Sequence, residues 1–120
     1  MDDHIKSILL VVDDESSVCR ALSRMLKGRV DEILSAYSPM EAETILKTRE
    51  ITLLICDHWF GQGQPLGADL AAKWKDRYKS IRRAVVLTGT DISKIETPPG
   101  VHQIIAKTVK TEELVEALGL

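Results

Sequence analysis

Apolar positions in this chain form short unbroken runs that alternate with stretches repeating at helical spacing. Ile8-Leu9-Leu10-Val11-Val12 has no polar break, the pattern of a strand buried on both faces. Val18, Leu22, Met25 and Leu26 then recur three or four positions apart, and Gly28 stands where a helix C-cap belongs. Val30 to Tyr37 predicts a second strand. In Ser38-Pro39-Met40-Glu41, Ser38 serves as N-cap, Pro39 as first helical residue and Glu41 as reciprocal cap of a second helix through Ala42, Ile45 and Leu46. Ile51 to Cys56 predicts a third strand. A loop from Asp57 to Pro65, with Gly61 and Gly63, leads to a third helix from about Ala68 to Tyr78, where Leu70, Ala71, Trp74 and Tyr78 share a core-facing side. Ala84 to Leu87 is a fourth strand, ending at Thr88-Gly89-Thr90. Asp91 caps a short helix that Pro98-Pro99-Gly100 stops, Val101 to Ala106 is a fifth strand, and a last helix starts near Thr111.

Alternation of this kind specifies an α/β fold, (βα)5, with a doubly wound parallel sheet in one domain spanning residues 1–120. Composition agrees: 44% hydrophobic and 28% charged residues over 120 positions suffice for one core and leave no room for a second. A formal net charge of −2 gives no reason to expect direct nucleic-acid binding. The basic stretch Lys73, Lys75, Arg77, Lys79, Arg82 and Arg83 reads as a solvated surface. Cys19 and Cys56 sit in apolar patterns as small buried residues of a reducing compartment. His4, His58 and His102 lack zinc-ligand spacing, with one another or with the cysteines. No signal peptide or membrane-length run is present, so the chain is expected in the cytoplasm, away from membranes.

Chemistry concentrates where the strands end. The first run stops on Asp13-Asp14, the third on Asp57, the fourth on Thr88 and the fifth on Lys107. Parallel strands deliver all of these to the C-terminal edge of the sheet, where open α/β folds build ligand sites. Taken singly, each has a structural explanation: acids favour helix N-termini, threonine bonds to backbone, and a lone lysine is solvated. Together they hold the parts for phosphoryl transfer to a carboxylate. Asp57 is the nucleophile, Asp13 and Asp14 hold a divalent cation, Mg²⁺ being the natural one for oxygen ligands, and Lys107 and Thr88 supply fixed positive charge and a donor.

With these residues in place the chain resembles the receiver domains of two-component response regulators. The resemblance runs from Val11-Val12-Asp13-Asp14-Glu15 through Leu54-Ile55-Cys56-Asp57 and Val85-Val86-Leu87-Thr88-Gly89 to Ile104-Ile105-Ala106-Lys107. It implies a flavodoxin-like sheet of order 2-1-3-4-5. It also implies Mg²⁺-dependent transfer of a phosphoryl group from the phosphohistidine of a sensor histidine kinase or phosphotransfer protein to Asp57, and signalling to a downstream effector rather than enzymatic turnover. By the same resemblance Asp14 is a direct metal ligand, Asp13 acts largely through water, the backbone carbonyl of Trp59 completes the site, and Thr88 and Lys107 hold the phosphoryl oxygens.

The chain departs from the family pattern in two stretches, the loop after Asp57 and the segment from Thr88 to Thr108. Phe60-Gly61 replaces the usual Met-Pro pair, and the loop up to Gly67 is extended. Lys107 precedes Thr108 rather than proline, so that bond is expected trans. Three residues before the lysine, where the family carries an aromatic switch, stands Ile104, and the segment from Thr88 to Lys107 is short, which predicts a stunted fourth helix. Output is therefore expected from another surface, the loop with Trp59 and Phe60. The positions two beyond the acceptor and two beyond the threonine, which in receivers govern access of hydrolytic water, are Trp59 and Thr90, and a bulky indole predicts slow dephosphorylation.

Two other classes compete. A haloacid-dehalogenase-type phosphatase places its nucleophile in an Asp-x-Asp-x-Thr pattern after strand one, which Asp13-Asp14-Glu15-Ser16-Ser17 does not match. A non-phosphorylated pseudo-receiver that acts as an interaction module accommodates the departures but leaves all five chemical positions unexplained. A flavodoxin-like cofactor role lacks the phosphate cradle after strand one.

Overall fold

The computed structural model describes residues 6–89 and 91–120. Five parallel strands, β1 (Ile8–Val12), β2 (Glu32–Ala36), β3 (Leu53–Asp57), β4 (Arg83–Thr88) and β5 (Gln103–Ala106), pair in the order β2-β1-β3-β4-β5. Four α-helices connect or follow them: α1 (Ser16–Leu26), α2 (Pro39–Thr48), α3 (Gly67–Arg77) and α4 (Thr111–Ala117). This is the doubly wound sheet that the alternating pattern and the receiver resemblance both anticipate.

The period-two geometry of strands divides each apolar run between two cores. Leu10, Val12, Leu54, Cys56, Val86 and Ile104 face α2 and α3, where fully buried Trp74 is the largest side chain. Leu9, Val11, Leu53, Ile55, Val85 and Ile105 face the opposite layer, against Cys19, Leu22 and Leu26 of α1 and Leu114 of α4. Both cysteines are free and buried. Along the expected basic stretch, Lys73, Arg77, Lys79, Arg82 and Arg83 are exposed.

Several boundaries move for identifiable reasons. β2 is shorter than Val30 to Tyr37, because Val30 closes the α1–β2 turn as an isolated bridge to Lys27 around Gly28, whose φ of 83° needs no Cβ. β3 begins later and includes Asp57, while Thr52 joins its neighbour through its side chain, Oγ1 accepting from the Ile8 N–H at 2.9 Å. Ser38 caps α2 as expected, accepting from the Glu41 N–H at 3.1 Å, but the Glu41 carboxylate reaches the N–H of Tyr37 rather than that of Ser38.

The stunted helix expected between β4 and β5 is a single 3-10 turn, Ile92–Lys94. Asp91 caps it, accepting from both the N–H and the hydroxyl of Ser93. The Lys107–Thr108 peptide is trans, as its lack of proline requires.

Candidate functional site

Register decides which side chains meet. Val12 lies opposite Cys56, Asp57 opposite Leu87, and Thr88 opposite Ala106, so β1, β3, β4 and β5 all end at one level of the sheet. Asp13 follows β1 and continues its pairing, its N–H donating to Ala36 O at 3.0 Å. Lys107 likewise continues β5, with its N–H donating to Thr88 O at 2.9 Å.

At that edge the carboxylate oxygens of Asp13, Asp14 and Asp57 come within 4.8 Å of one another. Asp13 and Asp57 are buried, with Asp57 only 5% exposed, while Asp14 faces solvent. The Lys107 ammonium lies 3.1 Å from Asp57 Oδ1 and 3.1 Å from Asp13 Oδ2. The second Asp13 oxygen accepts from the Glu15 N–H at 2.9 Å, which fixes the carboxylate between a helix start and the lysine.

One lysine does not neutralise this cluster. Burial, followed by the neighbouring charge of Asp13, pushes the Asp57 carboxyl above its ordinary range, and burial does the same to Asp13. Lys107 moves upward as well: burial disfavours its charge, but hydrogen bonds to Asp13 and Asp57 outweigh that cost. Both directions are consistent with two buried carboxylates and an exposed third competing for a single cation. All the acidic donors are hard oxygens suited to a divalent cation such as Mg²⁺ or Ca²⁺, and the deficit of positive charge is what such an ion would relieve. The residues fit the group.

Thr88, at the tip of β4, is buried at the same edge. Trp59, near the start of the β3–α3 loop, is 56% exposed, and Phe60 packs partly against the α2–α3 core. Thr90, the other residue expected to influence dephosphorylation, lies outside the described residues. Ile104 is buried opposite Val86, behind the site rather than on its rim.

Three contributors have no signature in the strand pattern. Glu15 reaches Lys107 at 3.8 Å. Gly67 starts α3 directly against the main chain of Asp57, so close that a Cβ would stand 1.7 Å from the Asp57 carbonyl oxygen. His58 is buried next to Asp57 and bonds to both β4 and α3. Gly67, which the sequence pattern leaves at the end of the loop, forms instead the first residue of α3.

Comparison with known proteins gives a family. The family model for the response regulator receiver domain matches residues 9–119. Among solved structures, the signal receiver domain of an HD domain-containing protein from Pseudomonas fluorescens Pf-5 superposes with a TM-score of 0.81 at 24% identity, over 96% of this chain and 93% of that one. A response regulator protein from Burkholderia pseudomallei, solved with a phosphorylated aspartic acid, calcium ion and citrate, gives 0.78 at 25% identity, over 94% of this chain and 66% of that one. A response regulator from Thermotoga maritima in complex with Mg²⁺ and BeF gives 0.77 at 22% identity, over 92% and 94%. No curated protein sequence matches significantly.

Proposed function

The chain belongs to the response regulator receiver domain family, and we propose that it accepts a phosphoryl group on Asp57 from the phosphohistidine of a sensor histidine kinase or phosphotransfer protein. The observation that carries this reading is the convergence of the Asp13, Asp14 and Asp57 carboxylates within 4.8 Å, with the Lys107 ammonium 3.1 Å from Asp57. The phosphorylated aspartate and the Mg²⁺ and BeF complex of the Burkholderia and Thermotoga regulators lend it support.

Asp14, Asp57 and the Trp59 backbone carbonyl would hold Mg²⁺, with Asp13 acting largely through water. When bound, the ion supplies positive charge that offsets repulsion between the nucleophile and the phosphoryl oxygens. An Asp57 Oδ forms the new bond to phosphorus as the donor's P–N bond breaks, and the bonding pair stays with the departing imidazole. Lys107, already beside Asp57, and Thr88 bind the phosphoryl oxygens. Burial of Asp57 excludes bulk water from the same position.

This assigns a signalling module that is modified and then read by an effector, rather than an enzyme turning over a small substrate. A cytoplasmic location and a protein effector go with it, without direct nucleic-acid binding. Among the described residues no helix is long and apolar enough to cross a membrane. Incubation with acetyl phosphate and Mg²⁺, followed by intact mass, tests the central step. Wild type should gain one phosphate and Asp57→Asn none. An unmodified wild type would favour the pseudo-receiver reading, whose one structural support is the reduction of the fourth helix to a 3-10 turn.

A further inference from the structure

The first N–H groups of a helix need acceptors from outside it, which a Ser, Thr, Asp or Asn at the N-cap normally provides. In α3 the N-cap is Leu66, which has no side-chain acceptor. Both of the first two donors are met instead by His58: Gly67 N–H donates to the His58 carbonyl at 2.7 Å, and Ala68 N–H donates to His58 Nδ1 at 3.3 Å. The same residue donates its own N–H to Leu87 O at 2.9 Å. One side chain and its peptide thus tie together the end of β3, the end of β4 and the start of α3, while bare Gly67 lets the helix settle onto the Asp57 carbonyl.

In the segment between these ties Gly61 and Gly63 both have left-handed φ, 120° and 81°, and Gln64 N–H donates to Gly61 O at 3.2 Å. The first residue of that segment is Trp59, which follows His58 directly, so the ties at His58 hold the base of the loop that carries the Trp59 carbonyl.

We propose that His58 is a positioning residue of the cation site: by capping α3 from ten residues upstream it fixes the Asp57 and Trp59 backbone in the arrangement that binds Mg²⁺. The proposal rests on the acceptor reading of Asp57 for its biological meaning. Its physical content is metal affinity and local order.

His58→Leu keeps the buried bulk and removes the acceptor, whereas His58→Asn keeps an oxygen close to the position of Nδ1. Mg²⁺ titrations followed by tryptophan fluorescence should show affinity weakened about tenfold or more in His58→Leu, the usual consequence of losing a residue that orients metal ligands, and near wild type in His58→Asn. Exchange protection of the Gly67 and Ala68 amides should fall in the same order without any ligand. Adding Leu66→Ser to His58→Leu supplies a local N-cap. That double variant should recover melting temperature while Mg²⁺ affinity stays weak, which separates positioning from plain helix stability. Unchanged Mg²⁺ affinity in a folded His58→Leu, or affinity that returns together with stability in the double variant, would overturn the proposal. A wild type that binds Mg²⁺ but takes no phosphate would refute the acceptor role and leave the clamp standing. A wild type that binds no Mg²⁺ overturns both.

Discussion

Gly67 rests on the main chain of Asp57, closer than any side chain could: an added Cβ would lie 1.7 Å from the Asp57 carbonyl oxygen and 2.7 Å from the His58 Cα. The contact is with backbone on both sides, so no rotamer change relieves it. Gly67→Ala should therefore cost about 2–3 kcal/mol in urea unfolding, at the upper end of overpacking effects, and lower Mg²⁺ affinity at the same time. A variant as stable as wild type would show that α3 can move off the acceptor strand freely.

Charge crowding makes the stability of this protein depend on pH and on cation. Burial raises the carboxyl pKa of Asp13 and Asp57 in the fold, so the folded state holds their protons to higher pH than the unfolded chain does. Their contribution to stability is complete below the unfolded carboxyl value of about 3.9 and is lost as pH rises through the folded values. In chelator, Asp57→Asn should melt above wild type at neutral pH, with the gap closing as the solution is acidified. Mg²⁺ should raise the wild-type melting temperature and leave the variant much less changed. A gap that widened on acidification would contradict this account.

His102 titrates with the opposite sense. Its Nδ1 accepts from the Ala84 N–H at 3.1 Å, and its pKa is lowered by burial and then by the nearby charges of Arg83 and Lys75. The stability it contributes is present above the unfolded histidine value of about 6.5 and is lost as pH falls through the lower folded value. Hydrogen exchange should show the protection factor of Ala84 steady above about pH 6.5 and declining as pH falls below it, where histidine protonation begins to oppose the fold. In His102→Val the decline should vanish.

The lifetime of the phosphorylated state offers a test of Trp59. Its indole is half exposed at the mouth of the β3–α3 loop, so replacing it with asparagine opens a path for water to the acyl phosphate. Decay followed by loss of the phosphate mass should accelerate several-fold in Trp59→Asn. Equal or slower decay would remove the indole from any shielding role.

Output should leave through the same loop. Ile104 is buried opposite Val86 and has no ring to swing, and the segment before it is one 3-10 turn. Met40, Trp59 and Leu66 stand exposed at the start of α2 and along the β3–α3 loop, Met40 the most open at 79%. Nuclear magnetic resonance shift changes on adding phosphoryl donor and Mg²⁺ should gather on residues 58 to 66. Changes confined to residues 92 to 106 would restore the usual route.

The legible parts of this protein were those written in local pattern. Ile8 to Val12 and Leu53 to Cys56 are apolar at every position because both of their faces are covered, and that alone placed Asp13, Asp14 and Asp57 at strand tips. Proline and glycine spacing foretold the reduced fourth helix. What stayed hidden depends on contacts between distant positions. Val30 looks like strand but closes a turn, since an edge strand's extent is set by its neighbour's length. The cap of α3 comes from His58 rather than from Leu66 next to the helix, and no propensity records an acceptor supplied from another element. The bareness of Gly67 acquires meaning only once β3 is known to pass beneath it.

The main-chain bond from Lys107 N–H to Thr88 O, 2.9 Å long, prolongs the pairing of β4 with β5 past its last ladder residue. Thr88 and Lys107, which end separate strands at the edge that holds Asp57, are thereby joined through their main chains. Slack introduced in the backbone at either residue should therefore be felt at the other, and the two strand ends behave as one edge rather than two.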